Sequence, residues 1–259
     1  MTLQSTQEIL ARVDHRPYPL PARRWSWRQN WHELLFAHWR VDHDRLRRLV
    51  PEPLELDAHE GAHYLGVVPF HMSDVSPRFV PAIPGVSAFP ELNVRTYVRR
   101  GGVRGVYFLS LDATQRLAVV TARALFHLPY FHAQMERRRE GDGAITYRSR
   151  RPRAPHAEFR ARYRATSAPR TAAPGSLEHF FVERYCLFAL NPRGVVTRTD
   201  VHHAPWMIHD ADAELDAAGL LQSHDLVLPP TPDHLHFAEG IAVRVWAPIA
   251  DQRGSAPAG

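Results

Sequence analysis

Apolar and polar positions alternate most cleanly over residues 89–99, FPELNVRTYVR. Leu92, Val94, Thr96 and Val98 fall on one side and Glu91, Asn93, Arg95 and Tyr97 on the other, the period of two expected of a strand with unlike faces. A carboxyl, an amide, a guanidinium and a phenol therefore stand in one row. Facing solvent, such a row belongs to an ordinary half-exposed strand. Facing the inside of a closed sheet, it lines a polar cavity where a ligand binds. Further strands are predicted at 34–41, 54–56, 62–70, 103–111, 144–150, 158–166, 185–190, 194–203 and 240–246.

Helices are predicted at 3–13, after Asp42 with Leu46, Leu49 and Val50 on one face, at 117–125, and after Ser176, with Glu178 in the first turn. Pro17, Pro19 and Pro21 extend the chain after the first helix, and Pro77, Pro81, Pro84 and Gly85 make 73–89 a semi-rigid loop. Gly101 and Gly102 turn the chain from strand 89–99 into 103–111, and 137–143 reads as a charged turn. Strands outnumber helices and short polar turns join many of them. The class is α+β, with a large, mainly antiparallel closed sheet. A single domain spans 1–259, with an N-terminal arm over about 1–30 and a frayed tail at 251–259.

Composition narrows the function classes. At 44% hydrophobic and 23% charged, the 259 residues are those of a globular chain. No apolar run approaches the ~18–20 residues that span a bilayer. The first residues lack the layout of a secretory signal, and a single cysteine, Cys186, allows no internal disulfide. The cytoplasm is the expected compartment, without a membrane partner. The net charge of +5 comes from arginines spread along the chain, with no zinc-finger or RNP signature, so no nucleic-acid partner is expected. All 32 basic residues are arginine, and lysine is absent.

Glu91 is the candidate general acid or base, and Arg95, four residues on, can grip a carboxylate by two parallel hydrogen bonds. The same two side chains equally suit an internal ion pair that holds the sheet. Among the 17 histidines, His202 and His203 would point to opposite faces of a strand, and His234 and His236 share one face. No HExxH or CxxC accompanies them, so neither a metal nor another cofactor is expected. Cys186 lies in the apolar run YCLFAL and reads as a buried, inert thiol. No G-x-S-x-G elbow, GxGxxG or P-loop occurs.

A set of short motifs carries a family resemblance: FAHWRVD (36–42), LVPEPLEL (49–56), YLGVVPFHMS (64–73), FPELNVRTYV (89–98), ARALFHLPY (122–130), VHHAPW (201–206) and HLHFAEG (234–240). Together they resemble the YqjF-like family, also called DUF2071, which is regarded as a relative of the acetoacetate decarboxylases. The resemblance implies the decarboxylase-like fold, a mainly antiparallel closed β-barrel with surrounding helices and a ligand cavity inside. It also implies an inward face for Glu91, which matches the decarboxylases' cavity glutamate. Their nucleophilic lysine, in a PKK motif after a helix, matches Tyr130 of Pro129-Tyr130-Phe131, with Phe131 at the second lysine. Their cavity arginine falls near His32. A Schiff base needs an amine that can lose its proton, and a guanidinium stays protonated, so decarboxylation by that route is excluded in a chain without lysine.

The resulting expectation is a protein that binds a small anionic organic molecule inside the sheet, with acid–base chemistry that uses no Schiff base. Glu91 and Tyr130 are the catalytic candidates, and Arg95, Asn93, His71, His132 and His32 the ligand-binding ones. Two alternatives stand beside it: a non-catalytic ligand-binding or scaffold protein, and a metal-dependent lyase or hydrolase built on the histidines. A homo-oligomer is compatible with each. Borohydride added to the protein with acetoacetate should trap no adduct by intact mass, and carbon dioxide release should not exceed background. A reduced adduct anywhere but on an N-terminal amine would contradict this.

Overall fold

The alternation in 89–99 is realised as a strand buried on both faces. The computed structural model describes residues 5–251, in which the elements follow one another along the chain as α1 (Thr6–Ala11), β1 (Trp27–Val41), α2 (His43–Arg47), β2 (Glu55–Leu56) and β3 (His63–Pro77). Next come β4 (Phe89–Arg100), β5 (Val103–Ala113), α3 (Arg116–Phe126), β6 (Tyr130–His132), β7 (Gln134–Arg139), β8 (Ile145–Arg151) and β9 (Ala154–Ala165). The remainder are β10 (Arg170–Thr171), α4 (Leu177–Val182), β11 (Cys186–Leu190), β12 (Val196–His202), β13 (Met207–Asp216), α5 (Ala218–Gln222), β14 (His234–Val245) and β15 (Ile249–Ala250). The strands form one sheet, ordered β15-β12-β11-β5-β4-β3-β1-β14-β13-β9-β8-β7, with β12 also pairing with β14.

The sheet is mixed: its strand pairings are mainly antiparallel, as expected, and parallel in two places. β5 runs parallel to β11 and to β6. The second pairing follows from the crossover: α3 carries the chain back alongside β5 to the level of Leu111, so the returning strand runs the same way. Along β4, Phe89 and Tyr97 join one apolar cluster with Tyr64, Phe70 and Met72 of β3, while Leu92, Val94 and Val98 join another with Leu65 and Val67. The second face is covered by Tyr147, Phe159 and Tyr163 of β8 and β9, by Leu46 of α2 and by Leu220 and Leu221 of α5.

Several bounds differ from the sequence reading, each for a local reason. α1 is shorter than 3–13, because Ser5 and Glu8 close a capping box at its start. The arm does not hang free: Arg16 Nη1 donates to the Val201 carbonyl at 2.8 Å, and the His202 ring bonds the Ile9 carbonyl at 2.7 Å. β1 begins at Trp27 rather than at 34, and β3 continues to Pro77 into what reads as loop. Arginine-rich β7, the acidic β13 and the short α5 were not foreseen as elements. Asp251 is buried, with its N–H bonded to the Val196 carbonyl, and the remainder of the expected frayed tail, 252–259, lies outside the described residues. Among the described residues no helix is long and apolar enough to cross a membrane.

Burial keeps several histidines neutral. It pushes His202 and His224 down to about 4 and His38 well below its ordinary value, in each case mainly by desolvating the charged ring. These rings bind a proton near pH 6.5 when the chain is unfolded, so the stability they contribute is complete above that pH and is lost as pH falls towards 4. Urea unfolding should therefore lose on the order of 1–3 kcal/mol per buried histidine between those limits. A midpoint that stays flat across that window would contradict the burial described here.

Candidate functional site

Glu91 sits on the cavity-side face of β4, opposite Phe70 of β3 and Ala113 of β5. Its neighbour in space comes from β6. After α3, His127 adopts a left-handed backbone (φ 55°) that ends the helix, and the chain turns so that Tyr130 lies beside Leu111 of β5. Tyr130 Oη then donates to Glu91 Oε2 at 2.7 Å. Behind the strand, Tyr147 Oη donates to the backbone carbonyls of Glu91 at 2.7 Å and Phe70 at 3.2 Å, which fixes the main chain that carries the carboxyl.

Glu91 is only 4% exposed, and burial pushes its carboxyl up to about 8. The Tyr130 hydrogen bond opposes this shift and the Asp112 carboxylate adds to it. The Tyr130 phenol is driven well above its usual range, first by burial and then by Glu91. Asp112 is itself buried on the far side of β5, paired with Arg151 Nε at 2.8 Å and Ser149 Oγ at 3.2 Å. The Arg151 guanidinium also stacks 4.1 Å from the Phe131 ring, next in sequence to Tyr130.

Glu91 and Tyr130 line a cavity of about 290 Å³. Trp27, Trp31, Phe89, Phe108 and Phe126 give its wall an aromatic character, and residues of the proline-bearing segment from Val75 to Ser87 line it too. Gln29, Ser76, Ser87 and Thr199 are its other polar residues, and no arginine or histidine is among those lining it. Larger hollows exist elsewhere, including one of about 680 Å³ beside His132, Glu136, Arg148 and Glu158, but that one is more open and gathers surface ion pairs rather than buried groups.

The remaining candidates are placed apart from this pair. Arg95 shares its face but lies deeper along β4, where it donates to the Phe181 carbonyl at 3.2 Å and to Tyr97 Oη at 3.5 Å. His38, stacked on Phe181, bonds the same Tyr97 hydroxyl at 2.6 Å. Gly66 separates His38 from Arg95, and a Cβ there would stand 3.0 Å from His38 Nε2. Asn93 is buried between Glu91 and Arg95, and its Oδ1 has no hydrogen-bond partner among the described residues. His71 and His32 are cross-strand partners whose rings lie 6.2 Å apart, with His32 held to Ser73 Oγ at 2.7 Å. Alternation sends His71 to the face opposite Phe70 and Met72, away from the cavity. His132 is half-buried and faces the outer hollow. Among the described residues no group of three or more His, Cys, Asp or Glu is arranged to hold a metal ion. Cys186 is buried, with its thiol pushed up to about 11.

Sequence reasoning missed the aromatic wall. Its signal was present in WSWRQNW, where Trp27, Gln29 and Trp31 alternate like strand residues. Tyr147, Asp112 and Arg151 gave no such signal, because their roles arise from β8 packing behind β4 and β5.

The solved structures similar in fold include the enduracididine biosynthesis enzyme MppR complexed with pyruvate, at a TM-score of 0.61 and 15% identity, covering 90% of this chain and 93% of that one. Another is acetoacetate decarboxylase from Legionella pneumophila subsp. pneumophila str. Philadelphia 1, at a TM-score of 0.62 and 14% identity, covering 99% and 100%. At that distance the likeness shows a shared fold. The uncharacterized protein YqjF of Bacillus subtilis (strain 168) is 43% identical over 235 residues, covering 91% of this chain and 96% of that protein. The DUF2071 model, described as an uncharacterized conserved protein, matches residues 28–242. The sheet-dominated α+β fold of this chain is similar to that of acetoacetate decarboxylase, and the chain belongs to the DUF2071 family.

Proposed function

We propose that the protein binds a small, neutral carbonyl compound in the Glu91 cavity and moves a proton between Glu91 and the carbon next to the carbonyl, without a covalent intermediate. The observation that carries this reading is the buried Glu91–Tyr130 pair in an otherwise apolar wall. β12 pairs with both β11 and β14, which supports reading the strands around the cavity as a closed barrel. Schiff-base chemistry has no lysine to run on. An anionic ligand would find no cation in the wall, since Arg95 is engaged elsewhere. The neutral class therefore replaces the anionic one expected from Arg95.

In the forward step the Glu91 carboxylate takes the proton as the C–H bond breaks. The electron pair moves towards the carbonyl oxygen, and the Tyr130 hydroxyl turns to donate to the developing enolate. Return of the proton from neutral Glu91 completes the exchange. With Glu91 titrating at about 8, roughly a tenth of the molecules hold the carboxylate at pH 7. A base-catalysed rate should rise with pH and level off above 8.

Acetophenone in heavy water tests the reading, with deuterium entry into its methyl group followed by NMR. The wild-type rate above buffer should climb on the order of tenfold from pH 7 to its plateau. Glu91→Gln should lower it at least ~10²-fold, and Tyr130→Phe should lower it on the order of 10-fold or more. Quenching of Trp27 and Trp31 should register acetophenone and not benzoate of similar size. No rate above buffer with acetophenone bound would favour a ligand carrier. A full rate in Glu91→Gln, or tighter binding of benzoate, would overturn the proposal.

A further inference from the structure

The mouth of the Glu91 cavity presents apolar side chains to solvent. Phe79 is 81% exposed, Val80 42%, Ile83 54% and Val86 38%, all within one short segment that also walls the cavity through Val80, Ile83 and Val86. α3 adjoins it: Gln115, at its N-cap, donates from Nε2 to the Gly85 carbonyl at 2.7 Å, and Phe126, at its end, lines the same cavity. Its outer side exposes Val120 at 64%.

The segment is preformed. Pro77, Pro81 and Pro84 restrict it, the Arg78 N–H bonds the Ser26 carbonyl at 2.8 Å, and Ser87 Oγ accepts from the Ile83 N–H at 2.9 Å. Exposing Phe79 on a held segment leaves less conformational entropy to lose when something covers it. The segment and α3 carry only basic charge, and Asp74, just before the segment, is paired with Arg28 at 2.8 Å. Arg78, stacked between Trp25 and Phe79 at 4.8 and 4.9 Å, flanks the segment, and Arg116 and Arg123 are exposed on α3, the Arg123 guanidinium lying 5.8 Å from the Phe131 ring. Neither 75–90 nor 115–127 contains an aspartate or glutamate. A like-charged second copy of the same face is disfavoured by that pattern, whereas a surface of phosphate groups over hydrocarbon complements it.

We infer that this mouth docks on an anionic lipid surface, with Phe79 and Ile83 entering the headgroup boundary and the arginines on phosphates. The cavity then opens towards the apolar phase from which an uncharged ligand partitions. The sequence lacks any spanning run and led us to expect no membrane contact, but surface docking needs only a rim of this kind. The docking itself does not depend on proton transfer at Glu91. Only the statement of what is delivered rests on the proposed function.

Co-sedimentation of the full chain with vesicles of mixed phosphatidylglycerol and phosphatidylcholine tests it, beside vesicles of phosphatidylcholine alone. The wild type should pellet with the anionic vesicles and much less with the neutral ones, and added salt should release it. The F79D/I83D variant should bind at least about tenfold more weakly, and the R116Q/R123Q variant weaker on the order of tenfold, with thermal midpoints unchanged. Val227→Asp is the control, since Val227 is 77% exposed but away from the cavity mouth, and it should bind like wild type. Failure of the wild type to pellet with anionic vesicles, or equal loss in Val227→Asp, would overturn the proposal. So would light scattering that shows a wild-type dimer split by F79D/I83D, which would make this face a self-interface. Deuterium exchange into acetophenone, measured without vesicles, would stand or fall separately.

Discussion

A carboxyl group held among tryptophan, phenylalanine and leucine side chains keeps its proton, because ionisation would exchange full hydration for a single phenol hydrogen bond. For Glu91 that balance moves the titration from the ordinary carboxylate range to about 8. Much of the neighbouring structure serves the same end. Tyr147 holds the Glu91 carbonyl from behind, and the Asp112 carboxylate adds repulsion across the strand. Arg151 pairs with Asp112 while stacking on Phe131, the residue after Tyr130. Removing one partner from that buried ion pair would leave an uncompensated charge, a loss on the order of 3–5 kcal/mol.

The same fold is shared with acetoacetate decarboxylase and MppR, yet this chain contains no lysine. Tyr130 stands where the resemblance places the decarboxylases' nucleophile. A phenol there cannot condense with a ketone, but it can donate to a carbonyl oxygen. The physical kinship between an amine and a carboxyl in such a cavity is burial. It lowers the proton affinity of the first and raises that of the second, and both come to titrate nearer neutrality.

Much of this was legible in the sequence. The alternation over 89–99 fixed which side chains share a face, and the motifs pointed that face inward, so Glu91 and Tyr130 emerged as a pair. Alternation does not report depth, however. Four residues along a strand carry the chain about 13 Å, which takes Arg95 out of the cavity and into the Tyr97–Phe181 cluster. His71, expected to bind the ligand, is turned away by that same alternation: it follows Phe70 in sequence and faces the opposite side of the sheet. The second covered face was not legible at all. β7, β8 and β9 are rich in arginine, yet Tyr147, Phe159 and Tyr163 bury themselves on the main sheet between those charges.

The protonation state of Glu91 is the point on which the account turns. Infrared difference spectra of wild type against Glu91→Gln, recorded in solution across pH 5 to 10, isolate its carboxyl stretch. The account predicts a protonated carboxyl band present at pH 7 that converts to carboxylate with a midpoint near 8. A Glu91 band already ionised at pH 6 would contradict it.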